Sequence, residues 1–104
     1  MALVAAPEMA ADAEGLVHGG FVFGLADYAA MLAVNHPFVV LGSAEVRFLL
    51  PVAVGERLVA SARVTEAAGR KSRVEVEVAR GGEAVMTGVL TCLTLDRHVL
   101  QAKP

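Results

Sequence analysis

The 104-residue sequence predicts an α+β fold in which one long helix packs across an antiparallel sheet. Three observations carry that expectation. Apolar residues recur at helical spacing over 19–35, a period of two governs most of the chain beyond residue 40, and glycine or proline punctuates the short elements. With no repeat, linker or low-complexity segment, residues 1–104 read as a single domain.

The elements follow in order. A weak strand is expected within residues 2–6. Over 19–35, Phe21, Leu25, Tyr28 and Leu32 recur at helical spacing, while Ala26, Ala29, Ala30 and Ala33 are strong helix formers. Pro37 ends the helix, because proline disfavours helical geometry in the residue before it. Apolar residues lie on every side, which predicts a buried helix. In the next segment Val40, Gly42, Ala44, Val46, Phe48 and Leu50 share one face, and Ser43, Glu45 and Arg47 the other, up to Pro51. After a turn at Gly55 and Glu56, Leu58, Ala60, Ala62 and Val64 alternate with Ser61, Arg63 and Thr65. The cleanest alternation sets Val74, Val76 and Val78 inward against Arg73, Glu75 and Glu77. Gly81 and Gly82 mark a tight hairpin, since glycine tolerates the positive φ it requires. The last strand, over 84–95, is apolar on both faces and is expected to be covered on both.

Composition narrows the function classes. A hydrophobic fraction of 56% and mean hydropathy of +0.59 are high for so short a chain, so either a membrane or self-association must cover apolar surface. Membrane insertion is disfavoured: the best apolar stretch, 21–34, falls short of the roughly 18 residues a span needs and carries Asp27. The N-terminus lacks the basic start of a secretory signal, which makes a cytoplasmic location the expectation. The single cysteine, Cys92, reads as a buried structural thiol. A net charge of -2 gives no reason to expect nucleic acid as partner. His36 and His98 are expected at the surface, no histidine spacing suggests a metal site, and no cofactor is called for.

The chemistry concentrates on the helix. Asp27 shares a face with Gly20, Phe23, Gly24, Met31 and Val34, and the two glycines clear space on its N-terminal side. Backbone N–H groups of the first helical turn lack partners and sit at the positive end of the helix dipole. At Gly19 and Gly20 no side chain blocks them, so an oxygen gaining negative charge is held there as in an oxyanion hole. A carbonyl so anchored and attacked by water, or by the carboxylate, describes acyl transfer. The residues alone also admit a structural Asp27 paired with Arg47 or Arg63, a merely polar His18, and glycines that serve only close packing.

The segment "HGGFVFGLAD", His18 to Asp27, resembles the HGG…LAD segment of hotdog-fold acyl-CoA thioesterases of the phenylacetate-pathway type, and "VRFLLPVAVGERLVASARV" resembles the strands that follow it there. The likeness covers roughly residues 15–95. It implies a hotdog fold, with a long central helix wrapped by a curved antiparallel sheet, in a homodimer or homotetramer whose sites lie between subunits. It further implies an acyl-CoA substrate. Gly19 would supply the oxyanion-binding amide, Gly20 would support it, and Asp27 of the neighbouring subunit would be the general base or nucleophile, with His18 polarising the thioester.

One position departs from the pattern: where many of these enzymes carry asparagine six residues before the histidine, this chain has Asp12, which accepts hydrogen bonds but donates none. A second carboxylate there would tend to raise the pKa of Asp27. Arg70, Lys71 and Ser72 lie in the turn where the family often meets the CoA phosphates, and Ser43 is a further lining candidate. The sequence also looks similar to the effector-binding hotdog domain of a malonyl-CoA-responsive repressor, which makes a non-catalytic acyl-CoA-binding module the alternative. A dehydratase would need a histidine paired with an acid in another motif, absent around this helix.

Overall fold

The structure, a computed structural model, describes residues 1–97 and 100. Strand β1 spans Ala2–Val4, a 3-10 turn covers Pro7–Met9, and helix α1 spans Gly19–Val34. Strands β2 (Val39–Phe48), β3 (Arg57–Ala68), β4 (Lys71–Arg80) and β5 (Glu83–Thr94) follow. They form one antiparallel sheet in the order β1-β3-β4-β5-β2, with α1 across one face, chiefly over β3 and β4. This is the hotdog fold.

The core forms where the two alternating patterns meet. Leu58, Val74, Val78, Val85, Met86, Leu90 and Cys92 are fully buried on the sheet, facing Val22, Leu25, Ala26, Ala29 and Ala30 of the helix. Ala26 and Ala30 lose all exposure, and their short side chains let the helix approach the sheet closely. On the outer face the Arg63–Glu75 pair, 2.8 Å apart and more than half exposed on both sides, contributes at most about 1 kcal/mol. Burial of each core side chain is worth about 1.5–3 kcal/mol, so packing holds this fold.

Both punctuation signals took the expected form. Gly81 and Gly82 have φ of 56° and 83°, as a two-residue hairpin turn demands. The helix ends at Asn35, left-handed at φ 52°, whose N–H donates to the Met31 carbonyl at 3.1 Å.

Three expectations fail in detail. In β2 a register shift between Leu41 and Ser43 changes the phase of the strand, so Val39 and Leu41, not Val40 and Gly42, pack on the core with Val46. A bulge adds one residue to one strand only, and every side chain before it changes face. The outer face of β5 is not covered: Thr87, Val89 and Thr91 are half-buried beside a solvent-facing sheet surface. Nor is the helix buried all round, since Phe21, Tyr28 and Leu32 are exposed by 43%, 56% and 55%. The sheet covers one side of α1, and among the described residues nothing covers Phe21, Tyr28 and Leu32 on the other.

Candidate active site

The loop before the helix is held on two sides. His18 N–H donates to the Met9 carbonyl at 3.0 Å, and Val17 N–H donates to the Val52 carbonyl at 2.8 Å. Asp12 helps shape that loop: its Oδ1 accepts the N–H groups of Glu14 at 3.0 Å and Leu16 at 3.1 Å. Its exposed carboxylate therefore organises the turn into the helix.

At the helix start His18 occupies the cap position but makes no side-chain cap hydrogen bond, and no acidic residue sits in the first turn. The first N–H of that turn to find a carbonyl is Phe21's, which donates to His18 at 3.1 Å. Among the described residues the amides of Gly19 and Gly20 have no partner, and both glycines are exposed. A Cβ at Gly20 or Gly24 would meet open space, whereas one at Gly19 would lie 3.2 Å from Cε1 of Phe48. Gly19 opens onto a cleft of about 310 Å³ lined by Val17 and Val22 and by Phe48, Leu50, Val52 and Val85. Its lining is apolar apart from backbone groups, a surface suited to an uncharged group.

Asp27 sits two turns along, on a half-buried flank of α1 with Phe23, Met31 and Val34. Its Oδ1 is buried and, among the described residues, without a hydrogen-bond partner. Burial pushes the Asp27 carboxyl above the ordinary carboxylate value. The Cys92 thiol on β5 is pushed up as well, first by its own burial and then by the charge of Asp27. The structural ion-pair reading does not hold: Arg63 pairs with Glu75, and among the described residues no arginine pairs with Asp27. Within one chain, burial is the cause of the raised pKa of Asp27.

The remaining sequence candidates lie elsewhere. Ser43 is exposed and alternates with Val46 onto the sheet face away from the helix. Arg70, Lys71 and Ser72 occupy the β3–β4 turn, at the opposite end of the sheet from Gly19: the Arg70 carbonyl accepts Thr94 N–H, and Leu95 N–H reaches Phe38, just past the helix C-terminus. Arg70 is also engaged with Asp96 at 2.7 Å. His36 is exposed, its Nδ1 accepting Phe38 N–H at 3.0 Å, and His98 lies outside the described residues. A larger hollow, about 640 Å³, lies on the outer face of the sheet among Glu45, Arg47, Arg63, Glu75 and Glu77. It lies on the sheet face away from the helix, whereas the smaller cleft reaches the open first turn at Gly19, so the smaller cleft is the better candidate.

The wall formed by Phe48, Leu49 and Leu50 was not read as part of a site from sequence. Its signal was available as "RFLLP", an apolar run that persists after the alternation ends and that the structure leaves largely exposed.

The thioesterase superfamily model matches residues 14–87, which include the helix, Asp27 and most of the sheet. The chain belongs to the thioesterase superfamily. Among curated proteins it is 56% identical over 80 residues to a methylthioribose-1-phosphate isomerase of Aquifex aeolicus, covering 77% of this chain but 18% of that one. It is 34% identical over 82 residues to the transcription factor FapR of Shouchella clausii, covering 79% of this chain and 43% of FapR. The chain therefore spans less than half the length of either relative. Among solved structures, the uncharacterized protein PH1136 of Pyrococcus horikoshii superposes with a TM-score of 0.95 at 58% identity, over 96% of this chain and 77% of that one. A variant of the phenylacetic acid degradation protein PaaI of Thermus thermophilus superposes with a TM-score of 0.83 at 30% identity, over 90% and 82%. No helix among the described residues is long and apolar enough to cross a membrane, and none of their His, Cys, Asp and Glu side chains group to hold a metal ion.

Proposed function

We propose that this protein is an acyl-CoA thioesterase of the HGG…LAD type, acting as a single hotdog domain in a reducing, cytoplasmic setting. The observation that carries the reading is the buried, unpartnered Oδ1 of Asp27 on the same helix whose first amides stand open at Gly19 and Gly20. Membership of the thioesterase superfamily and the likeness to PaaI support it. A buried carboxylate with a raised pKa is a stronger base than an exposed one, and one without an internal partner is available to a water molecule.

One helix does not complete the site. Eight residues separate Gly19 from Asp27, about 12 Å along the axis at about 1.5 Å per residue, whereas both groups must reach the same carbonyl within about 3–3.5 Å. The single-helix geometry admitted by the sequence is therefore too long, and we place Asp27 of a second copy opposite Gly19. The open edge of β2 supports such a pairing. It is a ten-residue edge strand without proline or lysine, the kind of edge that chains otherwise protect. Antiparallel pairing along it sets the helix N-terminal end of one copy beside the β3–β4 turn of the other, so Arg70, Lys71 and Ser72 would meet the CoA phosphates from across the interface.

In this site the thioester oxygen accepts hydrogen bonds from the Gly19 amide, with Gly20 keeping the approach open and His18 at its rim. Water attacks the carbonyl carbon as Asp27 takes its proton, or Asp27 attacks first and water resolves the anhydride. Either way the C–S bond breaks, the CoA thiolate leaves and is protonated, and the acid is released. Thiol release from a panel of short, long and aryl acyl-CoA esters tests the reading. Single turnover in heavy-oxygen water separates the two roles, because only a nucleophilic Asp27 acquires the label. The FapR relative favours a second reading, an acyl-CoA-binding module without turnover. Tight binding with no thiol release would establish that one instead.

A further inference from the structure

The geometry points to Arg80 as a positioning residue that fixes the acyl-facing wall of the cleft and thereby sets which acyl groups are accepted. The inference rests on the reading of the helix N-terminus as a thioester site. One side of the cleft belongs to the helix and its preceding loop, which the sheet supports. The other side is the segment 48–52, which leaves β2 and whose residues Phe48, Leu49 and Leu50 are exposed by 55%, 49% and 37%. Leu49 and Leu50 have little packing of their own, between Phe48, which still pairs with Met86, and Val52, which is 3% exposed in the core.

Hydrogen bonds hold the stretch at both ends: Leu49 and Leu50 N–H donate to the Val85 carbonyl at 2.8 and 3.3 Å, and Arg80 ties down Pro51. Arg80 Nη1 donates to the Pro51 carbonyl at 2.8 Å and to Glu56 Oε1 at 3.1 Å, and Nη2 donates to Glu83 at 2.9 Å. Glu56 Oε1 in turn accepts the Ala53 N–H at 2.6 Å. One guanidinium thus ties the chain on both sides of Val52 to the β4–β5 hairpin. Val52 lines the cleft, and its carbonyl receives Val17 N–H from the opposite side. The Arg80 side chain is about three-quarters buried, with 26% exposure, so this pair is better shielded from water than Arg63–Glu75. The planar fork of arginine serves carbonyl and carboxylates together, which the single ammonium of lysine does not reproduce. Arg80 is absent from the cleft lining, so its effect on substrate passes through the wall.

A wall that drifts costs binding to groups that fill the cleft and leaves the reacting carbonyl alone. For Arg80→Met, the expectation is a KM raised about tenfold for octanoyl-CoA with kcat within about twofold, and little change in either for acetyl-CoA. Arg80→Lys should restore part of the loss, and Glu56→Gln, which keeps an acceptor for Ala53 but removes the charge, should shift the same ratio by less. A folded Arg80→Met protein with the wild-type acyl-length profile overturns the inference. So does a loss of kcat that is uniform across acyl lengths, which marks a general structural role. If Arg80→Met does not fold, an unchanged profile in Glu56→Gln overturns it. If the wild-type protein hydrolyses none of these esters, the thioesterase reading fails, and the wall is read from binding of non-hydrolysable octanoyl and acetyl thioether analogues of CoA. Selective weakening of the octanoyl analogue by Arg80→Met supports the inference there, and equal or absent binding of the two overturns it.

Discussion

The two ends of α1 are finished in opposite ways. At the C-terminal end Asn35 turns left-handed, returns a hydrogen bond to Met31, and the chain passes directly into β2 with Leu95 bonded across to Phe38. Nearby, Arg70 and Asp96 pair in solvent. At the N-terminal end there is no side-chain cap, no acidic residue in the first turn, and two exposed glycines, of which Gly19 lines a cleft. An Asp or Ser at the cap would typically contribute about 1 kcal/mol. Its absence from one end and the closure of the other place the unspent hydrogen-bonding capacity of the helix where a ligand oxygen can use it.

The comparison can be broken most severely through the carboxylate that the open end is held to serve. Asp27→Ala should lower kcat for thioester hydrolysis by at least about 100-fold while circular dichroism and oligomeric state stay unchanged. Full activity in the folded variant would remove Asp27 from the chemistry. Gly19→Pro is a sharper probe of the amide. Proline is tolerated at the first helical position and His18 already has the extended backbone that must precede it, but the proline ring also presses on Phe48, 3.2 Å from a Cβ there, so circular dichroism and the KM are read beside kcat. A kcat loss of about 10²-fold is expected; an unchanged kcat would mean that the Gly19 amide does not hold the oxyanion.

The pH dependence gives a subtler comparison. Because burial raises the folded pKa of Asp27 above its ordinary 3.8, its contribution to stability is fully present below that value and is lost as pH rises through the folded value. Activity runs the opposite way, rising over the same interval as the base ionises. From acid to neutral pH, kcat/KM should lose its rise in Asp27→Asn, and the wild-type melting temperature should fall relative to that of Asp27→Asn, while Glu56 and Asp96, held below their ordinary values, add the opposite trend to both proteins. The smallest effect belongs to the closed end. Asn35→Ala should cost about 1 kcal/mol, read as a lower Tm, with kcat/KM unchanged, since a left-handed position penalises a side chain that cannot bond locally.

Much of this was legible beforehand. The periods of 3.6 and 2 placed α1 and the four long strands, and the pair Gly81 and Gly82 placed the hairpin, because these signals are local and each residue's face follows from its neighbours. The β2 phase was not legible. Gly42 fits either face by composition, and it is the pairing with β5, where a Cβ at Gly42 would come within 3.3 Å of the Thr91 carbonyl, that selects the bulge. The site divided in the same way. The candidates His18, Gly19, Gly20 and Asp27 lie on one continuous segment and are legible from spacing and resemblance, whereas the cleft beside them adds Phe48, Val52 and Val85 from distant parts of the chain.

The sequence by itself determined which elements form and that a carboxylate sits on an otherwise apolar helix, since periodicity and residue chemistry are properties of short segments. Only the tertiary structure decided that Oδ1 of this carboxylate finds no partner among the described residues, that Arg70 lies at the far end from Gly19, and that Arg80 bonds the Pro51 carbonyl in a cleft wall near the helix start. Those facts depend on which distant segments the folded sheet brings together, and nothing in a local pattern encodes that distance.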